Sequence, residues 1–186
     1  MRLLTTIIAA ILLAAPAAAE PTVWLVDHNN SKLGFTAYWQ NAPVKGVFKT
    51  WRADILFDPD DLASSRVVVA VETASADTAY ADRDAEIKKK DWFAVADFPA
   101  ATFMADVIRK TGEGQYAADG TLAIKGVYTP LTLPFSLRFD GDMAMMSAEM
   151  TLSRLAFNIG AGQWKATNFI RDDVVLNVEL VAKRGR

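Results

Sequence analysis

Residues 131–139, LTLPFSLRF, contain the most regular pattern in the chain and decide its fold class. Successive side chains of a β-strand point to opposite faces, so strict alternation of apolar and other residues predicts a strand with one buried face. The side chains predicted on the buried face are Leu131, Leu133, Phe135, Leu137 and Phe139. We expect this strand to belong to a sheet with one apolar face.

Similar segments occur on both sides of this strand, mostly separated by short turns rich in Asp, Gly and Pro. Gly46 lies in a long predicted strand and indicates either a bulge or a close backbone approach. Residues 22–26 form a short apolar run that ends in a turn signal. In the segment 103–107, Phe103, Ala105 and Val107 are predicted on the apolar face. The predicted strands cover residues 32–39, 44–57, 65–73, 103–107, 116–125, 127–139, 144–152 and 174–182. About eight strands with one apolar face indicate an all-β antiparallel barrel or sandwich.

The only convincing helix is predicted at residues 82–90, between two groups of strands. Asp77 and Asp82 are candidate N-caps, acidic residues cluster at the start, and three lysines stand at the end, which complements the helix dipole. We interpret its charges as a solvated face flanking the sheet. The helix leads into an aromatic segment that contains Trp92, Phe93 and Phe98.

Residues 1–19 have the pattern of a secretory signal peptide: a basic start, a short apolar run, and small residues before a predicted cleavage site at Ala19. The apolar run is shorter than the roughly 20 residues that span a bilayer, although an uncleaved anchor is the alternative. We therefore expect one domain at residues 20–186 in a periplasmic protein. Without cysteine, it can have neither a disulfide nor a cysteine-linked lipid anchor.

Composition argues against several classes of function. Removal of Arg2 with the predicted signal peptide leaves 19 basic and 22 acidic residues, a formal net charge of −3, which is unfavourable for nucleic-acid binding. His28 is the only histidine, so neither a zinc site nor a Ser–His pair is expected. The aspartates fall in turns, and no phosphate loop is present. We predict no catalytic residues, no metal and no enzymatic activity.

The predicted barrel interior would be almost entirely Val, Leu, Phe and Met. A solid core and a cavity for one small ligand are both consistent with this lining. Several methionines near the end of the sheet favour a cavity, because Met adapts to irregular apolar partners. An outer-membrane barrel is a weaker alternative, since clear aromatic girdles are missing and the predicted helix is charged.

An ordered set of motifs resembles the YceI-like family of lipid- or polyisoprenoid-binding proteins from the bacterial periplasm. The resemblance covers nearly all of residues 22–183. It is carried by WLVD at 24–27, Ser31, Phe35, VKGVF at 44–48, ILFDP at 55–59, Ser75, Thr78, RD at 83–84, DWF at 91–93, FPAATF at 98–103, GTLAIKGV at 120–127 and PLTLPF at 130–135.

The resemblance implies a lipocalin-like, extended antiparallel eight-stranded β-barrel with a flanking helix. It further implies a bound isoprenoid lipid, of polyprenyl phosphate or quinone type, as the only ligand and no other cofactor. A homodimer and a cytochrome b561-type membrane partner are also implied. The alternative function is an interaction module for envelope electron transfer or stress response, with a filled barrel.

We expect the ligand to contact side chains on the inward strand faces, with aromatic residues after the helix closing one end. The assignment rests on strand parity, which a bulge would invert. The predicted ligand-binding residues are Phe35, Phe48, Val69, Phe103, Leu133, Phe135, Met146, Leu176 and Val178 on strands, and Trp92, Phe93 and Phe98 after the helix.

Overall fold

The structure is a computed structural model that describes residues 22–185, so the predicted signal peptide lies outside the described residues. One short helix, α1 (Ala81–Glu86), accompanies eleven strands. The strands are β1 (Val23–Val26), β2 (Lys32–Trp39), β3 (Ala42–Phe48), β4 (Trp51–Leu56), β5 (Arg66–Glu72), β6 (Ala76–Asp77), β7 (Ala100–Gly112), β8 (Gln115–Ile124), β9 (Val127–Asp140), β10 (Met143–Ser153) and β11 (Asp173–Arg184).

All the strand pairings are antiparallel, and they close the sheet into a barrel. Strand β1 pairs with β4 on one side and with the end of β11 on the other, which closes the ring. Further along β11 its partner is β2, which pairs with β3, and β3 pairs with β6. The pairs β1–β2, β3–β4 and β5–β6 therefore each act as one interrupted barrel strand. The predicted eight-stranded barrel is confirmed.

Two tight turns define one end of the barrel. Gln40 and Asn41 connect β2 to β3, and Lys125 and Gly126 connect β8 to β9, all four with positive φ. Two consecutive residues with positive φ match the right-handed twist of a hairpin. We call this end the turn end. The opposite end, which we call the far end, carries the turns at 113–114 and 141–142.

Helix α1 is shorter than predicted. It ends at Glu86, so the lysines at 88–90 lie in turns, and its N-cap is Tyr80, without a side-chain cap. The predicted N-caps were wrong, because Asp77 instead accepts a hydrogen bond from the Ala79 N–H at 2.7 Å. After the helix the chain folds back, with the Phe93 N–H donating to the Ile87 carbonyl at 3.0 Å. This reversal turns the aromatic segment toward the barrel.

Strand β7 departs from the predicted alternation. Phe103 and Ala105 are buried as expected, but Val107 is exposed and Ile108 is buried instead. The register with β8 shifts between Ala105 and Val107, which marks a β-bulge. One extra residue in the strand reverses which side chains face inward, so the assignment of Val107 to the apolar face was wrong.

The remaining strands keep the predicted parity, so apolar side chains cover the barrel interior. Gly46 is confirmed as a site of close approach, where the ring of Phe35 lies against the backbone of the next strand. Within residues 22–185, no helix is long and apolar enough to cross a membrane.

Candidate functional site

The barrel interior contains an apolar cavity of about 210 Å³, which we call chamber 1. Its wall comes from inward positions on nearly every barrel strand, as period-2 alternation requires. Val67, Val69 and Val71 supply one side, while β9 contributes its whole alternating series. The series that decided the fold is therefore also the wall of the cavity.

A cluster of aromatic rings closes chamber 1 at the far end. The Trp24 indole N–H donates to the Phe57 carbonyl oxygen at 2.9 Å, which fixes the indole across the barrel. Phe139 packs on Trp24 with ring centroids 5.4 Å apart, and Tyr116 meets Phe57 edge-on at 5.5 Å. Trp24, Phe57 and Tyr116 are almost completely buried. The alternation of side chains along strands did not predict that these rings close the cavity, because Trp24 and Phe57 lie at strand ends.

A second cavity of about 450 Å³, chamber 2, occupies the turn end. It adjoins chamber 1, because both cavities are lined by Phe48, Phe93, Ile124, Leu152 and Leu176. Unlike chamber 1, chamber 2 also has polar and charged lining residues, mostly from α1 and the segment before it. These are Tyr38, Thr78, Tyr80, Asp82, Arg83, Glu86, Ser153 and Arg154.

The structure brings eleven of the twelve predicted ligand-binding residues to the two chambers. Chamber 1 is lined by Val69, Phe103, Leu133, Phe135, Met146 and Val178; chamber 2 by Phe35 and Trp92; both by Phe48, Phe93 and Leu176. Phe98 lines neither chamber. Its ring instead packs against Gly126 in the β8–β9 turn and is partly exposed.

The polar side of chamber 2 is held together by hydrogen bonds around Thr78. Its N–H and hydroxyl donate to one carboxylate oxygen of Asp84, at 2.8 and 2.5 Å. Arg83 donates to the Thr78 hydroxyl at 2.7 Å and to its carbonyl at 2.9 Å. Among the described residues, the other three N–H groups of the Arg83 guanidinium have no acceptor. Chamber 2 is therefore bordered by a cation with spare donors.

Arg154 organises the opposite side of chamber 2. It is only 4% exposed, and its five N–H groups donate to the carbonyls of Arg171, Ile159, Gly160, Trp164 and Ile170, at 2.8–3.1 Å. Burial lowers the pKa of its guanidinium, while the charge of Asp172 opposes that shift. The side chain thus holds the loop of residues 155–171 against the barrel.

Sequence reasoning did not find Arg154. Its acceptors lie 5 to 17 positions away along the chain, in a loop without periodic structure. Local patterns cannot reveal an arginine whose partners are backbone carbonyls, because every residue supplies a carbonyl. Only the tertiary arrangement identifies its role.

Two tryptophans in the wall of chamber 2 have unsatisfied indole N–H groups. Trp92 and Trp164 lie with ring centroids 5.7 Å apart, and neither buried Nε1 has an acceptor among the described residues. A buried donor without a partner costs roughly 1–3 kcal/mol. Both indole rings line chamber 2, although their Nε1 atoms are themselves buried.

Residues 22–185 contain no cluster of three or more His, Cys, Asp or Glu side chains that could hold a metal ion. His28 lies in the turn between β1 and β2 and packs edge-on against Trp51, with ring centroids 4.7 Å apart.

Comparison with known proteins relates both the sequence and the fold to one family. The family model described as a YceI-like domain matches residues 24–182. A UPF0312 protein of Vibrio vulnificus is 31% identical over 130 residues, which are 67% of each chain. The crystal structure of Burkholderia cenocepacia BcnA is 32% identical, with a TM-score of 0.82, and the match covers 85% of this chain and 99% of BcnA.

A polyisoprenoid binding domain from Saccharophagus degradans, implicated in plant cell wall breakdown, has the same fold. It is 14% identical, with a TM-score of 0.70, over 88% of this chain and 99% of that domain. The match over residues 24–182, together with the eight-stranded barrel, shows that this chain belongs to the YceI-like family.

Proposed function

We propose that the protein binds and carries one long-chain isoprenoid lipid in the periplasm, without acting on it chemically. The tail would occupy chamber 1 and the polar head group chamber 2. The observation that carries this proposal is the difference in polarity between two adjoining cavities: chamber 1 is apolar and closed at the far end, and chamber 2 has polar residues beside α1.

The volume and the apolar lining of the two chambers fit a prenyl chain. The two chambers together fall within the roughly 300–1,000 Å³ typical of ligand pockets. Each methylene that leaves water contributes about 0.8 kcal/mol, so a few prenyl units in chamber 1 would give tight retention. Met146 and Met150 line the chamber, and flexible Met side chains adapt to the branched outline of a prenyl chain.

The polar groups of chamber 2 favour a neutral head group that accepts hydrogen bonds. Arg83 has spare donors, but Asp82 and Glu86 line the same chamber and would repel a phosphate. Arg154 has already used all five of its donors. The buried indole N–H groups of Trp92 and Trp164 lack acceptors, and a ring that turns toward the chamber would donate to a carbonyl oxygen. We therefore propose a quinone-type lipid in preference to a polyprenyl phosphate.

The Saccharophagus degradans domain is described as polyisoprenoid binding, which supports a binding role over an enzymatic one. The periplasmic location rests on the predicted signal peptide. The homodimer and the cytochrome b561-type partner stay predictions.

The proposal is tested by native mass spectrometry of the full-length protein after export from a bacterial host, followed by organic extraction. We expect one lipid per chain. Delipidated protein is then titrated with a prenyl quinone and a polyprenyl phosphate of equal tail length, with quenching of the Trp92 and Trp164 fluorescence as readout. If no lipid copurifies and neither compound binds, the proposal is wrong; tighter phosphate binding would overturn the head-group assignment alone.

A further inference from the structure

Two segments form an exposed surface at the turn end, which we call the tip: residues 38–45 and 162–171. The Gln40 N–H donates to the Phe169 carbonyl at 2.8 Å, and the Arg171 N–H donates to the Tyr38 carbonyl at 3.1 Å. Trp39 forms an isolated bridge with Ile170 and pairs with Ala42 on its other side. The tip is thus a small extension of the sheet.

The tip exposes aromatic and other apolar side chains. Trp39 is 44% exposed and Phe169 is 51% exposed, although both are large apolar residues. Ala42, Pro43 and Ala166 around them are also exposed. A contiguous patch of exposed apolar side chains with polar residues around it is typical of an interaction site.

The charge of the tip differs from that of the rest of the protein. Its two segments contain three basic residues, Lys45, Lys165 and Arg171, and no acidic residue, whereas the whole chain is acidic. Arg171 pairs with Asp173 just outside the tip, at 3.1 Å. Lys45 and Lys165 have no carboxylate within 4 Å among residues 22–185. The surface therefore suits an anionic partner.

A groove connects the tip to the interior. It has a volume of about 120 Å³ and runs between Trp39 and Phe169. Trp39, Trp164 and Ile170 line both this groove and chamber 2. Chamber 2 in turn shares a wall with chamber 1. The groove, chamber 2 and chamber 1 therefore adjoin one another in that order, from the exposed tip to the closed far end of the barrel.

We propose that the tip docks on the surface of an anionic lipid bilayer, and that the groove is the route by which a lipid chain leaves or enters the membrane. Aromatic side chains suit the bilayer interface, and Lys and Arg bind anionic head groups. Each basic residue near such a surface strengthens binding roughly fivefold, so docking is reversible and weakened by salt.

A second copy of the chain fits this surface less well. A two-fold dimer places the same patch of both subunits in contact, so Lys45 and Lys165 would meet the corresponding lysines. Like charges oppose such contact, while an anionic bilayer attracts them. Docking on a bilayer also goes beyond the proposed ligand, because it can be measured on delipidated protein.

The test is cosedimentation of the full-length exported protein with phosphatidylcholine vesicles, with or without 30% phosphatidylglycerol. We expect binding only to the anionic vesicles, and its loss at high salt. The double variant Lys45→Glu with Lys165→Glu should bind at least tenfold more weakly, and Phe169→Ser should also bind more weakly. Lys45 and Lys165 do not line the chambers, so quinone titration of the double variant from solution should match that of the wild type.

Matched controls come from the far-end half of the barrel, where Leu25 and Lys110 are exposed. Leu25→Ser and Lys110→Glu should bind anionic vesicles as the wild type does. Equal binding by the wild type and the double lysine variant would overturn the proposal, as would no binding to anionic vesicles. Light scattering that shows a dimer dissociated by Phe169→Ser would also overturn it, in favour of a second copy.

Discussion

The aromatic ring of Phe35 lies directly across Gly46, its cross-strand partner in β3. A Cβ built on Gly46 would stand 2.7 Å from Cε1 and 2.8 Å from Cε2 of Phe35, much closer than carbon atoms approach each other. The absence of a side chain at Gly46 thus lets Phe35 lie flat in the wall of chamber 2.

Gly46→Ala should displace the Phe35 ring into chamber 2 and weaken ligand binding. We expect about a tenfold higher Kd for a prenyl quinone, with modest destabilisation from overpacking, of about 1–3 kcal/mol. The control is Gly34→Ala, where an added Cβ would meet its neighbours at an ordinary 3.6–3.7 Å. Equal Kd values for the two variants would contradict this account.

Val69 and Val68 offer a test of the chamber itself, because they are neighbours on β5 that face opposite sides. Val69 lines chamber 1, while Val68 pairs with the exposed Met104 on the outside. Val69→Phe should fill part of the chamber and weaken retention of a long prenyl chain about tenfold, as expected when about two methylenes lose their contacts. Val68→Phe should leave the retention of the prenyl chain unchanged. The lipid content of both variants is measured in native mass spectra.

Arg154→Lys should destabilise the protein, because an ammonium group has three donors and cannot reach five carbonyls. We expect a loss of at least about 3 kcal/mol in the free energy of unfolding, measured by urea denaturation. Hydrogen exchange should be fastest in residues 155–171. Arg138→Lys, an exposed arginine on β9, is the control and should change stability little. A result within 1 kcal/mol of wild type for Arg154→Lys would refute the assigned role.

Protonation of Asp119 at low pH should lower the free energy of unfolding of the protein. Arg109 donates to both of its carboxylate oxygens, at 2.6 and 3.1 Å, and Thr132 donates at 2.6 Å, which lowers the pKa of Asp119 from 3.8 to about 2. A carboxylate with a lowered folded-state pKa contributes its full stabilisation above the unfolded-state pKa and loses it as the pH falls through the folded-state pKa.

The stabilising contribution of Asp119 is therefore lost as the pH falls from about 4 to about 2. Asp119→Asn should remove this component of the pH dependence, measured as Tm across that range. Thr132→Val should remove a smaller part, since Arg109 is the larger cause. If Asp119→Asn and the wild type lose stability in parallel below pH 4, the ion pair does not contribute.

Strand parity explains why most of the candidate site could be predicted. Leu133, Phe135 and Val178 face the interior because a strand alternates with period two over its whole length, and no bulge interrupts β9 or β11. The prediction failed at Val107, where the bulge adds one residue. Phe98 was misplaced for a different reason: it was assigned as part of the aromatic segment after the helix, and it lies between the turn at 95–97 and β7, where alternation does not apply.

The all-β class, the apolar interior and most of the inward residues follow from local periodicity, so the amino-acid sequence is enough to predict them. Where the cavity closes, where α1 ends and what Arg154 binds depend on contacts between distant parts of the chain. The Trp24–Phe57 hydrogen bond joins residues 33 positions apart, and the tip joins segments more than 100 positions apart. Such contacts form only when barrel closure sets the distances between strands, which is a property of the whole chain and not of any stretch within it.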